Sequence, residues 1–301
     1  MNPPQVPARV MRAAMRVLIR PVLSPRVPVQ VQRRWLDAVT RLAPRAPRVD
    51  VRPGELGGRP VEVVVPRAPA SSGEVLYLHG GGFTVGSVAT YRALATHLAA
   101  ASGATVHLLD YRLAPEHPFP AALDDALAAY RELIRRSGRP ERTVVVGDSA
   151  GGWLTLSAAV RLRDEGDPLP AALGLVSPWL DLSGTDRHDD RADPLLQPGW
   201  LARCAADFAA GRDLRSPELT PLAADLTGLP PLVVQVGSEE ILLDEAVRLA
   251  RLARAAGVPV DLRRFDGLWH SAQQSAGLVG EATSAVTALG GALAARLPAP
   301  A

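Results

Sequence analysis

The chain has 301 residues and 47% apolar content, enough for one large α/β domain or two small ones, which excludes gross disorder. A formal charge of only +2, with every basic side chain an arginine, argues against a nucleic-acid partner and for a solvated, mixed-charge surface. The single cysteine, Cys204, excludes an intramolecular disulfide and a cysteine-based metal site. No apolar run approaches the ~18 residues of a membrane span, so a cytoplasmic location is expected.

Residues 1–55 read as an N-terminal cap segment. Arg12 and Arg16 interrupt its apolar run, so it does not read as a secretory signal. Arg9, Arg12, Arg16 and Arg20 fall on one side of a helix, with Val10, Met11, Met15 and Leu18 elsewhere around it. The adopted reading is a helix lying over the main domain; the alternative is a helix resting on a membrane surface. Prolines 21, 25, 28, 44 and 47 separate this segment from the rest of the chain.

From about residue 61 short β-branched runs alternate with longer Ala-rich stretches. Strands are expected at Val61–Val65, Val75–His79, Ala104–Asp110, Thr143–Gly147, Ala172–Val176, Leu232–Val236 and Val260–Phe265. Helices are expected at Tyr91–Ala101, Ala121–Arg136, Gly151–Arg163, Leu243–Ala256 and Glu281–Ala295. This rhythm predicts an α/β fold with a mainly parallel sheet covered on both faces and loops gathered at the strands' carboxyl edge. Ser177–Leu229 holds no strand-like run. The core is accordingly assigned to 56–180 and 221–301, and 181–220 to a cap insertion above that edge.

Gly147-Asp148-Ser149-Ala150-Gly151 fits G-x-S-x-G between an expected strand and an expected helix. Small flanking residues allow the sharp turn that lifts Ser149 to the start of a helix, whose positive end favours developing negative charge. A serine hydroxyl needs a base, and in this strand–turn–helix context the acid and the histidine come after the serine in the chain. His79, His97, His107 and His117 precede Ser149, and His188 falls in the expected cap insertion. His270, after the last strand, is the candidate base. The acid should come after Leu232–Val236, where Glu239, Glu240, Asp244 and Glu245 compete; Asp244 and Glu245 are expected to enter the next helix, and spacing alone does not separate Glu239 from Glu240. His79-Gly80-Gly81-Gly82 succeeds another strand and is the HGGG-type loop that supplies oxyanion donors, completed by the N–H of Ala150. Asp148 is expected to brace the turn by a backbone hydrogen bond, and Arg112 with Glu116 to brace the Pro-rich loop around Pro115.

These motifs, with Asp110-Tyr111-Arg112-Leu113-Ala114-Pro115-Glu116, resemble those of the bacterial hormone-sensitive-lipase-like esterases, the fold-3 group of α/β hydrolases. The likeness runs from about residue 60 to the end; the first sixty residues match only as a generic cap. The resemblance implies an α/β-hydrolase core under a helical cap, with Ser149 as nucleophile and His270 as base. It implies oxyanion donors at Gly81, Gly82 and Ala150. The family's Asp-Pro-Leu-x-Asp pattern falls on Glu240-Ile241-Leu242-Leu243-Asp244, which puts Glu240 in the acid's place as a departure and keeps Asp244 in reserve. The implied substrate is a small carboxylic ester of short to medium acyl chain, lactones and acetyl groups included. No metal or organic cofactor and no stable membrane association are implied, and a homodimer is compatible with it. A triad-less ligand-binding protein on this fold and a membrane-surface lipase are the rival readings.

Overall fold

The computed structural model describes residues 5–68, 73–185 and 193–297; His188 lies outside them. Eight strands form one sheet: β1 (Val49–Leu56), β2 (Arg59–Pro66), β3 (Glu74–Leu78), β4 (Thr105–Leu109), β5 (Thr143–Asp148), β6 (Ala172–Val176), β7 (Leu232–Gly237) and β8 (Val260–Phe265). Their order is β1-β2-β4-β3-β5-β6-β7-β8, parallel from β4 to β8, with β1 and β2 joined as an antiparallel hairpin against β4.

Alternate side chains of each central strand serve opposite faces, as the period of two demands. Leu76, Leu78, Val145, Leu173 and Leu175 pack beneath α4 (Ala121–Ser137), α5 (Ala150–Asp164) and α7 (Leu243–Ala255). Val75, Tyr77, Val144, Val146 and Val233 pack beneath α3 (Val88–Ser102) and α8 (Gly280–Ala294). Ser87 starts α3 by accepting the Thr90 N–H at its hydroxyl, 3.1 Å away.

The cap has two parts. α1 (Ala8–Leu18) and α2 (Val29–Thr40) come from the N-terminal segment, and α6 (Pro198–Ala209) from the insertion. Met11 and Met15 of α1 pack on the Leu268/Trp269/Val279 cluster beside α8. Phe208 of α6 stacks on Phe83 at a centroid distance of 3.7 Å, and both stand edge-on to Trp153 of α5. The insertion is therefore anchored through aromatic packing directly onto the loop after β3. Burial pushes the Cys204 thiol of α6 up to about 12, which keeps it an unreactive packing group.

Two sequence expectations are corrected. The sheet begins at Val49, ahead of the first expected strand at Val61–Val65: β1 lies in the segment read as cap, and six of its eight residues are exposed at the sheet's edge, where no apolar alternation is required. Arg112 and Glu116 do not pair with each other. Arg112 grips Asp125 of α4 at 2.7 Å, and Glu116 receives Arg33 of α2 at 2.7 Å, so the Pro-rich loop is tied to the core on one side and to the cap on the other.

Candidate active site

Ser149 sits between the last residue of β5 and the first of α5 with φ 53° and ψ −118°, a conformation costly for any residue with a side chain. Tertiary hydrogen bonds hold it there. Its N–H donates to the Val176 carbonyl at 2.9 Å, and its own carbonyl accepts from Trp179 N at 3.0 Å and from Gly152 N at 3.0 Å. The turn is so tight that a Cβ on Gly147 would stand 2.1 Å from the Gly151 carbonyl oxygen.

His270 lies in the loop between β8 and α8, and its Nδ1 is 3.0 Å from Glu240 Oε2. The other oxygen of Glu240 accepts from the Ser177 hydroxyl at 2.9 Å and from the Gly237 N–H. Both members of the pair are buried. Burial alone would lower the His270 pKa. The Glu240 hydrogen bond and charge, helped by Asp193 and Asp148, outweigh it and raise the pKa above its ordinary value. Of the acids the sequence offers in this stretch, Glu240 is the one that hydrogen-bonds the histidine. Glu239 turns the other way to pair with Arg12 of α1, and Asp244 is exposed in the first turn of α7. Asp193, from the insertion, is a buried carboxylate that the sequence did not single out. Its Oδ2 accepts the Ile241 N–H at 3.1 Å and its Oδ1 accepts from Leu195 N and Leu196 N, so it fastens the cap to the residue after Glu240.

The loop after β3 is held by Asp148, whose Oδ1 accepts the Gly80 N–H at 2.9 Å. That buried carboxylate also accepts hydroxyls from Tyr77, Tyr91 and Ser271. Burial drives its pKa above the ordinary carboxylate value, although the Tyr91 hydroxyl, the nearby His270 charge and the other donors pull downward. Asp148 thus braces more than its own turn, since Ser271 adjoins the histidine and Gly80 precedes the oxyanion loop. Gly81 has φ 108°, and a Cβ there would lie 2.1 Å from the Val85 carbonyl oxygen, so only glycine fits. The N–H groups of Gly81 and Gly82 donate to no acceptor among the described residues, and Ala150 N–H, at the first position of α5, is free by helix geometry.

Ser149, His270 and Gly81 line one cavity of about 410 Å³, walled by Met11, Met15, Leu36 and Val39 of the N-terminal cap and by Trp200 of α6. Trp35 is not part of that lining; it is 40% exposed and its indole N–H donates to the Leu18 carbonyl. No helix of the described residues is long and apolar enough to cross a membrane.

A family model described as the alpha/beta hydrolase fold matches residues 75–274. The chain belongs to that family. An acetyl-hydrolase of Streptomyces hygroscopicus is 46% identical over 199 residues, covering 65% of this chain and 67% of the relative. An esterase of Acinetobacter venetianus is 38% identical over 246 residues, covering 79% and 80%. A crystal structure of an esterase from the bacterial hormone-sensitive lipase family superposes with a TM-score of 0.90 at 36% identity, over 97% of this chain and 98% of that one. The structural likeness to this α/β hydrolase therefore takes in the N-terminal cap, which the sequence motifs alone did not reach.

Proposed function

We propose that this α/β hydrolase is a serine carboxylesterase whose nucleophile is Ser149, whose base is His270 and whose orienting acid is Glu240. His270 Nε2 takes the Ser149 proton as Oγ attacks the ester carbonyl. The resulting oxyanion receives the N–H groups of Gly81, Gly82 and Ala150, and His270 returns the proton to the leaving alcohol. Water, activated by the same imidazole, then releases the acid from the acyl-enzyme. The observation that carries this reading is His270, held by the buried Glu240, lining the same cavity as Ser149.

A small, mostly apolar cavity suits short to medium acyl chains, acetyl esters among them, in keeping with relatives named esterase and acetyl-hydrolase. Each buried methylene contributes about 0.8 kcal/mol, so kcat/KM on p-nitrophenyl esters is expected to rise about fourfold per methylene from acetate. It should then fall once the chain outgrows the cavity. Steady-state assays across the acyl series test this, and a folded protein inactive on every member would overturn the reading in favour of a ligand-binding role.

Gly81→Ala tests the oxyanion loop. Because the added methyl collides with Val85, the loop must shift and its donors lose aim. A loss of about a hundredfold or more in kcat is expected, measured with p-nitrophenyl butyrate.

A further inference from the structure

We propose that the outer face of α1 and α2 is a docking surface for an anionic lipid bilayer, with the cavity mouth set at the lipid–water boundary. Charge is the first ground. The first 48 residues hold ten arginines against one acid, Asp37, a net of +9; the remaining 23 arginines and 30 acids give −7. The chain's overall +2 conceals this division. Arg9, Arg26, Arg34, Arg41, Arg45 and Arg48 are exposed and form no ion pair among the described residues. Many core arginines, Arg67, Arg92, Arg131 and Arg161 among them, are paired with carboxylates.

The second ground is apolar exposure confined largely to the same segment. Among the described residues, six of the eight large hydrophobic side chains with substantial exposure lie there: Val10, Val17, Leu18, Val31, Trp35 and Leu42, the last 88% exposed. At helical spacing they are ordered. On α2, Val31 and Trp35 form an outward stripe continued by Leu42; Arg34 and Arg41 flank it on one side, and the cavity-lining Leu36 and Val39 on the other. On α1, Val10 and Val17 lie between Arg9 on one side and the cavity-lining Met11, Met15 and Leu18 on the other. The Trp35 indole on the Leu18 carbonyl joins the two stripes. Leu18 and Leu42 belong both to the exposed patch and to the cavity wall, so the patch rims the mouth. An apolar band beside a row of arginines is the arrangement of a helix lying in a bilayer interface.

The half of the arginine row that faces the protein is used otherwise, since Arg12 pairs with Glu239 and Arg20 donates to the Asp193 carbonyl. The sequence-level choice between a helix over the domain and a helix on a membrane is thus not exclusive. One side of α1 does the first, and the proposal gives the opposite side the second.

The test is flotation of the full-length protein with vesicles of phosphatidylcholine alone or mixed with phosphatidylglycerol. Flotation with the mixed vesicles only, weakened by salt, is expected. Arg34→Glu/Arg41→Glu should weaken partitioning by about tenfold or more, and Val10→Ser/Val31→Ser should weaken it in low salt too. None of these four residues lines the cavity, so turnover of water-soluble p-nitrophenyl acetate should stay at the parent level, which verifies folding. No flotation with the anionic vesicles, or flotation indifferent to both double variants, overturns the proposal. So does a dimer in size-exclusion chromatography that Val10→Ser/Val31→Ser dissociates, because the patch would then serve a second copy. Binding is read without catalysis, so failure of the esterase reading leaves this result standing.

Discussion

Ser149→Ala is expected to lower kcat on p-nitrophenyl butyrate by about 10⁴-fold or more while the melting temperature stays within about 2 °C of the parent. The chemical loss is large because no other group stands where Ser149 does, at the start of α5 and in one cavity with His270. The fold loses little because the elbow is held by main-chain bonds, Ser149 N to Val176 O and Trp179 N to Ser149 O, which alanine keeps. Alanine also retains the positive φ, so the strain is unchanged. Residual turnover equal to the parent's would mean that another nucleophile carries the reaction, and the role given to Ser149 would fail. Steady-state kinetics beside a thermal melt separate this from simple unfolding.

How far such a site is legible in a sequence depends on how local its determinants are. Ser149 stands out as a candidate because strand, turn and helix are contiguous, and His270 because chain order sets aside the four histidines before Ser149 and the cap insertion takes His188. Spacing alone does not separate Glu239 from Glu240; only the family's Asp-Pro-Leu-x-Asp pattern points to Glu240. Adjacent residues on one loop face opposite ways, and what separates them is Arg12, more than two hundred residues earlier, which draws Glu239 outward. Asp193 was invisible for the same reason: its worth lies in receiving the Ile241 N–H across 48 positions. The hairpin of β1 and β2 did leave a signal in Leu56-Gly57-Gly58-Arg59, since two glycines at positive φ make a two-residue turn. It passed unread because β1, exposed and carrying Pro53, lacks the apolar pattern of a buried strand. Arg112 and Glu116 show the converse, a local pairing that looked sufficient but lost to Asp125 and Arg33. α2 escaped because its apolar residues point partly into the cavity and partly to solvent, which blurs the single stripe of an ordinary amphipathic helix.

The second large effect is expected at Glu240. Glu240→Gln should lower kcat by about 10³- to 10⁴-fold, although the side chain keeps its shape. One carboxylate oxygen of Glu240 faces the fixed Gly237 N–H together with the Ser177 hydroxyl. A glutamine must turn its only oxygen to that amide, because an NH₂ there would oppose an N–H that cannot rotate away. The NH₂ then faces His270 Nδ1, which must become the acceptor, and the ring proton moves to Nε2, where it blocks removal of the Ser149 proton. Glu240→Asp keeps charge and both acceptors but shortens the reach by one methylene, so a smaller loss, about tenfold to a hundredfold, is expected. The pH profile gives an independent readout. In the parent the Glu240 hydrogen bond and charge hold the His270 pKa above its ordinary value, and a base works only when neutral, so kcat/KM should fall as pH drops through that raised pKa. In Glu240→Gln the hydrogen bond and the charge that raise it are gone while burial, which lowers it, remains. The acidic limb should therefore move to lower pH even as the plateau collapses. Profiles measured from about pH 5 to 9 decide the matter. A Gln variant within tenfold of the parent, with its limb unmoved, would strip Glu240 of the acid's role and return Asp244 to contention.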